Sequence, residues 1–309
     1  MNSLELFKTQ KFYQIDISIL KDLGYDVLLS NRIFDSLLFW KYDILFSYFY
    51  RYSFFAALLA KCFGKKTYFT GGIDSLDSDY ASAFNYKIQA LFFKLCYWVA
   101  DSCIIVSQSD LKNIFKVSSL KKKLSYSEHV INTKLFIADV PKEKIFTSIV
   151  WMGDEGNVVR KGVDKALQIF AELKKIPEFV DYRFVIIGRK GEGEVLVRSI
   201  IDKYNLKGSV ELKGEVSEED KINLLKQSKY YFQLSLYEGF GLAALEALCA
   251  NNIIIHSGKG GLANPIYKEQ LLFDIDNDFD SELLKLVNKL ACFCLLYTSP
   301  SPRDKRQSR

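Results

Sequence analysis

The sequence predicts an α/β protein built from two doubly wound, Rossmann-like domains, and three observations carry that prediction. Residues 145–294 alternate short apolar runs with helical stripes, residues 1–144 repeat the rhythm with more aromatics, and one run ends in a glycine-rich turn that opens into a helix. Strands separated by helices of this length pair in parallel, because a parallel connection must cross back over the sheet. A chain of 309 residues has room for two such domains.

In the first half, a helix over 12–23 leads through Gly24 to a strand at 26–30. A strand at 43–49, a helix at 54–63 and a strand at 67–70 follow, the last running into Gly71-Gly72. A helix from 85 to 100 precedes a strand at 103–106. Residues 117–141, with Lys121-Lys-Lys123, are polar and irregular and suit an interdomain connection. A doubly wound domain opens with a central strand, whereas this chain opens almost directly with a helix. The first strand is therefore expected to be missing.

The second half starts with a strand at 145–152, and Val163, Ala166, Leu167, Phe170 and Leu173 form a helical stripe. A strand at 181–188 ends in glycine, a helix covers 192–204, and a strand covers 209–214. Ser217-Glu-Glu-Asp220 places a capping hydroxyl and an acidic first turn before a helix that runs to 227. A strand at 230–236, a helix at 242–250, with Leu245, Leu248 and Cys249 on overlapping apolar faces, and a strand at 253–255 complete the pattern. Residues 295–309 change abruptly to Ser, Pro and Arg and closely resemble translated sequencing-adapter read-through, so a non-native tail is expected there. The expected organisation is an N-terminal domain and linker over 1–144, a second domain over 145–294, and that tail, with the native chain truncated at both ends.

Composition narrows the class. The sequence is 49% apolar and 26% charged, which suits a folded globular chain. Six cysteines without a CxxC pair and two histidines argue against a disulfide framework or a zinc site, and no metal or cofactor is expected. The uncharged apolar run at 52–60 falls well short of the roughly 20 residues that span a bilayer. No secretory signal opens the chain, and a cytoplasmic protein is expected. The net charge of +5 drops to +2 without the tail, which holds Arg303, Lys305, Arg306 and Arg309 against Asp304. That balance gives no support to a nucleic-acid partner. The helix around 86–99 carries Ile88, Leu91, Phe92, Leu95, Cys96 and Val99 on one face, with Phe93, Tyr97 and Trp98 beyond it and Lys87 and Lys94 nearby. Burial in the core or at the domain contact is one reading; a peripheral membrane contact is the other, since aromatics and lysines suit lipid headgroups. RNA finds no supporting motif.

The densest chemical signal is Glu238-Gly-Phe-Gly-Leu-Ala-Ala-Leu-Glu246, directly after a strand and opening a helix. Gly239 and Gly241 allow a sharp turn, and the amides at the helix start can hold an anion such as a diphosphate. Glycosidase carboxylates would need to lie about 5–9.5 Å apart. Eight helical residues rise roughly 12 Å, so a hydrolase pair is disfavoured and a grip on two parts of one elongated ligand fits better. A glycine-rich turn with a capping Glu is the purely structural alternative. Arg160-Lys161-Gly162 stands before the stripe that begins at Val163. Two cations there can neutralise a diphosphate and stabilise charge on a departing nucleotide, or they can be solvated surface.

The Glu-Gly-Phe-Gly-Leu-x-x-x-Glu pattern, with Asn252 to Ser257 and Gly258-Lys-Gly-Gly-Leu262 behind it, resembles the donor-binding signature of the family 4 (group 1) glycosyltransferases. The match runs from about 149 to 266, and the first half matches only loosely. The resemblance implies the GT-B fold, two Rossmann-like domains facing a cleft, with a nucleotide sugar held by the C-terminal domain. It implies that Glu238 contacts sugar hydroxyls, that the amides of Phe240 to Leu242 hold the diphosphate, and that Glu246 meets the ribose. Lys161 matches a Lys-Gly of the family. Where the family has a Gly-Arg pair after the preceding strand, this chain has Gly153-Asp154, so either Arg160 supplies the guanidinium or donor activation is weakened.

Gly188-Arg-Lys-Gly-Glu-Gly193 lacks the spacing of a dinucleotide fingerprint; the resemblance implies that Gly188 and Arg189 adjoin the donor. It also places Lys213-Gly-Glu-Val216, and so Val216, where relatives hold the nucleobase. Gly71, Gly72 and Asp74 are the acceptor-side candidates, although the Gly-Gly pair can equally be a tight turn, and the His that many relatives carry near here is absent. His129 and His256 read as structural. The function expected is transfer of a sugar, of hexosyltransferase type and with retention, from a nucleotide-diphosphate sugar to a glycan or glycolipid acceptor in polysaccharide biosynthesis. Two alternatives remain: a non-catalytic glycosyltransferase-like binding subunit, and a nucleotide-sugar epimerase on the same fold.

Overall fold

The computed structural model describes residues 4, 7, 11–71, 73–137 and 140–298. By contacts the chain divides into one unit made of Met1–Asn132 and Tyr237–Leu242 and another made of Thr133–Leu236 and Ala243–Arg309.

In the first unit, helix α1 (Lys11–Asp22) is followed by β1 (Ile44–Tyr48), α2 (Tyr50–Cys62) and β2 (Lys66–Thr70). Next come α3 (Ala83–Val99), β3 (Ser102–Ile105), α4 (Gln108–Val117) and β4 (Leu124–Tyr126). The four strands form one parallel sheet in the order β1-β2-β3-β4. Its core gathers Tyr50, Phe54, Phe69, Phe93, Cys96, Tyr97, Cys103 and Ile114. Ser82 and Ser107 cap α3 and α4 by accepting from the backbone N–H groups of Asn85 and Asp110, which satisfies donors that a helix start leaves orphaned.

Several expectations fail here for identifiable reasons. Residues 26–30 are not a strand: they pair with no strand among the described residues, and Leu28 and Leu29 stay exposed. An apolar run makes a strand only where a neighbour completes its ladder. Helix α2 begins four residues before the predicted start because Phe49 adopts φ 66° and turns the chain sharply out of β1. The region predicted as irregular holds β4 and a short 3-10 turn at Thr133–Leu135. The buried side of α3 is Phe93, Cys96, Tyr97 and Val99, while Leu91 and Trp98 are exposed, so the predicted face is rotated.

The second unit contains β5 (Glu143–Ile149), α5 (Glu155–Arg160), α6 (Val163–Leu173), β6 (Arg183–Ile187), α7 (Glu194–Lys203) and β7 (Val210–Gly214). It continues with α8 (Glu218–Gln227), β8 (Ser228–Gln233), α9 (Leu242–Cys249), β9 (Ile253–His256), β10 (Leu271–Leu272) and α10 (Phe279–Thr298). All six strands are parallel, in the order β10-β9-β8-β5-β6-β7. One wing winds outward from β5 and the other from β8, which is the doubly wound arrangement the sequence predicts. The predicted stripe of α6 is buried in full. Phe146 stacks on Tyr230 and Phe232, with centroids 4.7 and 5.1 Å away, at the centre of this core. On α9 the buried residues are Ala244, Glu246 and Ala247, whereas Leu245, Leu248 and Cys249 are only half-buried. Helix α10 runs to Thr298, and the tail from Ser299 onward lies outside the described residues. Among the described residues no helix is long and apolar enough to cross a membrane.

Candidate functional site

In an open parallel sheet, the loops at the carboxyl ends of the two strands where the winding reverses diverge and leave room for a ligand. Here those strands are β5 and β8. The connection after β5 runs through α5, whose last residue is Arg160, to Lys161, and the segment after β8 leads into Glu238. The two loops are tied together by backbone: the Leu236 N–H donates to the Arg160 carbonyl at 2.8 Å. Gly162 sits at φ 68°, and a Cβ there would lie 2.0 Å from the Leu234 carbonyl oxygen, so only glycine permits this approach. β8 therefore leaves its ladder at Gln233, three residues before the predicted end.

The Arg160 guanidinium donates to Asn157 Oδ1 from both Nε and Nη2, at 3.2 and 2.6 Å. Asp154, standing where the resemblance leads one to look for an arginine, caps the six-residue helix α5 by accepting from the Asn157 N–H at 2.6 Å. Gly188 plays a backbone role as well. At φ 132° it lets Val150 approach, since a Cβ would lie 2.0 Å from the Val150 carbonyl oxygen. The carbonyl of Arg189, whose residue is exposed, accepts from the Met152 N–H at 2.9 Å. Val216, with Ile187, Lys213, Asn223 and Leu224, lines a hollow of about 450 Å³ beside β7 and α8. Glu246 is 3% exposed and ion-paired with Lys221 Nζ at 2.7 Å, and Lys221 also meets Glu218 at 2.9 Å. Sequence gives no signal for Lys221, because a lysine on a polar helix reads as solvated surface.

The rest of the glycine motif packs with the first unit. Tyr237, 2% exposed, donates its hydroxyl to Asp110 Oδ1 at 2.5 Å, and its ring stacks on Tyr80 at 5.3 Å. Phe240 meets the His129 ring edge-on at 5.2 Å. A Cβ on Gly239 would lie 3.8 Å from Asp74 Oδ1, and Gly241 has φ 87°. Asp74 and the glycine motif, predicted as separate sites, are thus neighbours. Gly71, at φ 98°, makes the tight turn where the backbone of Phe49 returns to β2, with the Phe49 N–H donating to the Thr70 carbonyl. Gly72 lies outside the described residues.

Burial, and then repulsion from Asp74 and Asp77, pushes the Asp110 carboxyl up to about 7 against the opposing hydrogen bonds of Tyr237 and Ser107. Burial also holds His129 below its ordinary value, with Asp16 opposing, and pushes His256 down to about 4. His256, at the end of β9, accepts from the Gly258 N–H through Nδ1 at 3.2 Å and is neutral at physiological pH. Asp110 and Tyr237 are not among the residues the sequence points to. The Ser107-Gln-Ser-Asp110 run is the available signal, a hydroxyl cap followed three residues later by an acid. Among the described residues no group of three His, Cys, Asp or Glu side chains could hold a metal ion.

Residues 156–290 match the model of a protein family described as glycosyl transferases group 1. A GDP-mannose:cellobiosyl-diphosphopolyprenol alpha-mannosyltransferase of Xanthomonas oryzae pv. oryzae is 32% identical over 144 residues, 40% of this chain and 37% of that protein. A phosphatidylinositol N-acetylglucosaminyltransferase subunit of Homo sapiens is 30% identical over 105 residues, 34% of this chain and 21% of that protein. The matched segments cover well under half of these relatives. Among solved structures, sucrose-phosphate synthase from Thermosynechococcus elongatus superposes with a TM-score of 0.64, covering 93% of this chain and 70% of its own, at 19% identity. Anabaena Alr3699/HepE in complex with UDP gives 0.60, covering 74% and 63%, at 14% identity. At these identities the likeness is one of fold, and the fold is GT-B.

Proposed function

We propose, from the match of residues 156–290 to the model described as glycosyl transferases group 1, that this protein transfers a sugar from a nucleoside-diphosphate sugar to a hydroxyl of a glycan or glycolipid, with retention of anomeric configuration. The observation that carries the proposal is the convergence, at the winding reversal between β5 and β8, of the Arg160-Lys161-Gly162 turn with the segment entering Glu238. In this reading Lys161 and Arg160 stabilise the charge that develops on the leaving diphosphate. The amides of Gly239 to Leu242 add hydrogen bonds at the start of α9. Glu238 fixes sugar hydroxyls, and Glu246, steadied by Lys221, takes the ribose. Gly188 and Arg189 border the donor, Val216 borders the base, and Gly71 and Asp74 belong to the acceptor side. Catalysis is electrostatic and positional and needs no resident cofactor.

The names of two relatives mention cellobiosyl-diphosphopolyprenol and, for a transferase subunit, phosphatidylinositol. They support a lipid-linked acceptor, reached by a cytoplasmic protein in peripheral contact with the membrane. HepE binds UDP, which supports a nucleotide sugar as donor. Glu238→Ala and Lys161→Ala should each abolish transfer, read as nucleoside diphosphate released in the presence of acceptor, while leaving the melting temperature unchanged; full turnover in either variant refutes the assignment. A second reading, a binding subunit without catalysis, is favoured by Asp154, which serves as the cap of α5 where the resemblance leads one to look for an arginine. Tight binding of nucleotide sugars with no release of nucleoside diphosphate under any acceptor would establish it.

A further inference from the structure

The segment Tyr237–Leu242 has two glycines in its six residues, and fixing such a chain costs roughly 1–2 kcal/mol of backbone entropy per residue. Something must hold it. Contacts within the first unit do so, among them the Tyr237 hydroxyl on Asp110 Oδ1, the Tyr237 ring on Tyr80, and the Phe240 ring on His129. Asp110 stands out among them. It is 1% exposed, and its Oδ2 has no hydrogen-bond partner among the described residues. Its own helix does not depend on that side chain, because Ser107 caps α4 by accepting the Asp110 N–H at 3.1 Å. Asp77, close enough to repel Asp110, is occupied with Asn113 Nδ2 and with the N–H groups of Asp79 and Tyr80. A buried carboxyl that leaves one oxygen unpaired beside other acids is a costly residue to keep for packing alone. The hydrogen bond that its other oxygen accepts at 2.5 Å comes from Tyr237, the residue directly before Glu238.

We propose that Asp110 is a positioning residue that sets the conformation of the Glu238–Leu242 loop through the Tyr237 hydroxyl. It touches no substrate; it determines where the carboxylate of Glu238 and the amides of Gly239 to Leu242 stand before a ligand arrives. The loop's fixed conformation is a property of the free protein. Only the consequence for ligand affinity rests on the glycosyltransferase reading above.

Hydrogen–deuterium exchange of the full chain tests the conformational claim without a ligand. Tyr237→Phe keeps the ring stack and removes the donor, and Asp110→Ala removes the acceptor. Each should speed exchange of peptides spanning 237–242 by about tenfold, the effect of losing one buried hydrogen bond to a carboxyl, with β2 and β3 unchanged. Asp110→Asn retains an acceptor for Tyr237 and should exchange within about twofold of the wild type, a rescue that a packing role would not require. Unchanged exchange at 237–242 in Tyr237→Phe overturns the proposal, even if Asp110→Ala fails to fold, and so does Asp110→Asn behaving like a loosened loop. Calorimetry with UDP and GDP adds a separate arm with Lys161→Ala as comparator. If the wild type binds and Tyr237→Phe weakens binding about tenfold, the loop's position governs affinity. If Lys161→Ala loses binding while Tyr237→Phe does not, the consequence for affinity is overturned and the donor-site reading stands. Absence of wild-type binding to either nucleotide counts against the donor-site reading, and the exchange result still decides the positioning claim.

Discussion

Asp110 makes the stability of the first unit depend on pH in a way that can be worked out from its surroundings. Burial, reinforced by Asp74 and Asp77, moves its carboxyl from the ordinary value of 3.8 to about 7. Moving a pKa by one corresponds to about 1.4 kcal/mol, so the displacement amounts to ~4 kcal/mol. The sign follows from which state holds the proton. Above 3.8 the unfolded chain ionises at this position, while the folded chain keeps its proton until about 7. Folding therefore takes up a proton across that window, and stability falls by up to about 1.4 kcal/mol per pH unit. The contribution is complete below the lower value and gone above the upper one. Asp110→Asn keeps the oxygen that accepts from Tyr237 and has no proton to lose. Urea midpoints for the two proteins, measured between about pH 4 and pH 8, should diverge as pH rises, the variant gaining up to ~4 kcal/mol on the wild type and levelling off above about pH 7. Other titrating groups, including Tyr237, are common to both proteins and largely cancel in the difference. A gap that stays constant across that range, or narrows, would show that Asp110 is ionised in the fold and refute the reasoning.

Three further outcomes follow from single contacts. Gly162→Ala places a Cβ 2.0 Å from the Leu234 carbonyl oxygen at φ 68°; it should cost about 3 kcal/mol or more, seen in melting, and abolish nucleotide binding by parting the loops after β5 and β8. Lys221→Met leaves Glu246 buried without its counter-ion and should destabilise by about 3–5 kcal/mol, with Lys221→Met plus Glu246→Leu recovering much of the loss in urea unfolding. Lys142 donates to the carbonyls of Ala250, just past the end of α9, and Leu225, in the last turn of α8. Lys142→Met should cost about 1–3 kcal/mol, and hydrogen exchange should rise first at those helix ends.

How much of this is legible in the sequence depends on the range of the interaction that decides each element. The α6 stripe and the Ser217 cap can be read directly because their signals lie within a few residues of the structure they produce. The order β10-β9-β8-β5-β6-β7 is implied only as a class, since alternation of strand and helix dictates parallel pairing without saying where the winding reverses. Residues 26–30 mislead because composition cannot announce whether a neighbouring strand is there to pair with. The rotated face of α3 has a similar origin: Phe93 and Tyr97 are buried by partners such as Tyr50 and Lys123, far away in sequence.

The candidate site divides along the same line. Gly162, just before a helical stripe, and Gly188, at the end of a strand, stand out in the sequence, but the reason each must be glycine is a carbonyl oxygen 2.0 Å from its missing Cβ, contributed by a distant segment. Glu238 and Glu246 look, in sequence, like a matched pair of ligand contacts eight positions apart. The structure gives them different surroundings: Glu246 is buried against Lys221 in the second unit, and Glu238 follows a tyrosine anchored to Asp110 in the first. A motif that looks continuous in sequence thus answers to two sets of partners. Substitutions at its two ends should accordingly fail differently, those at Glu246 through the stability of the second unit and those before Glu238 through the order of the loop.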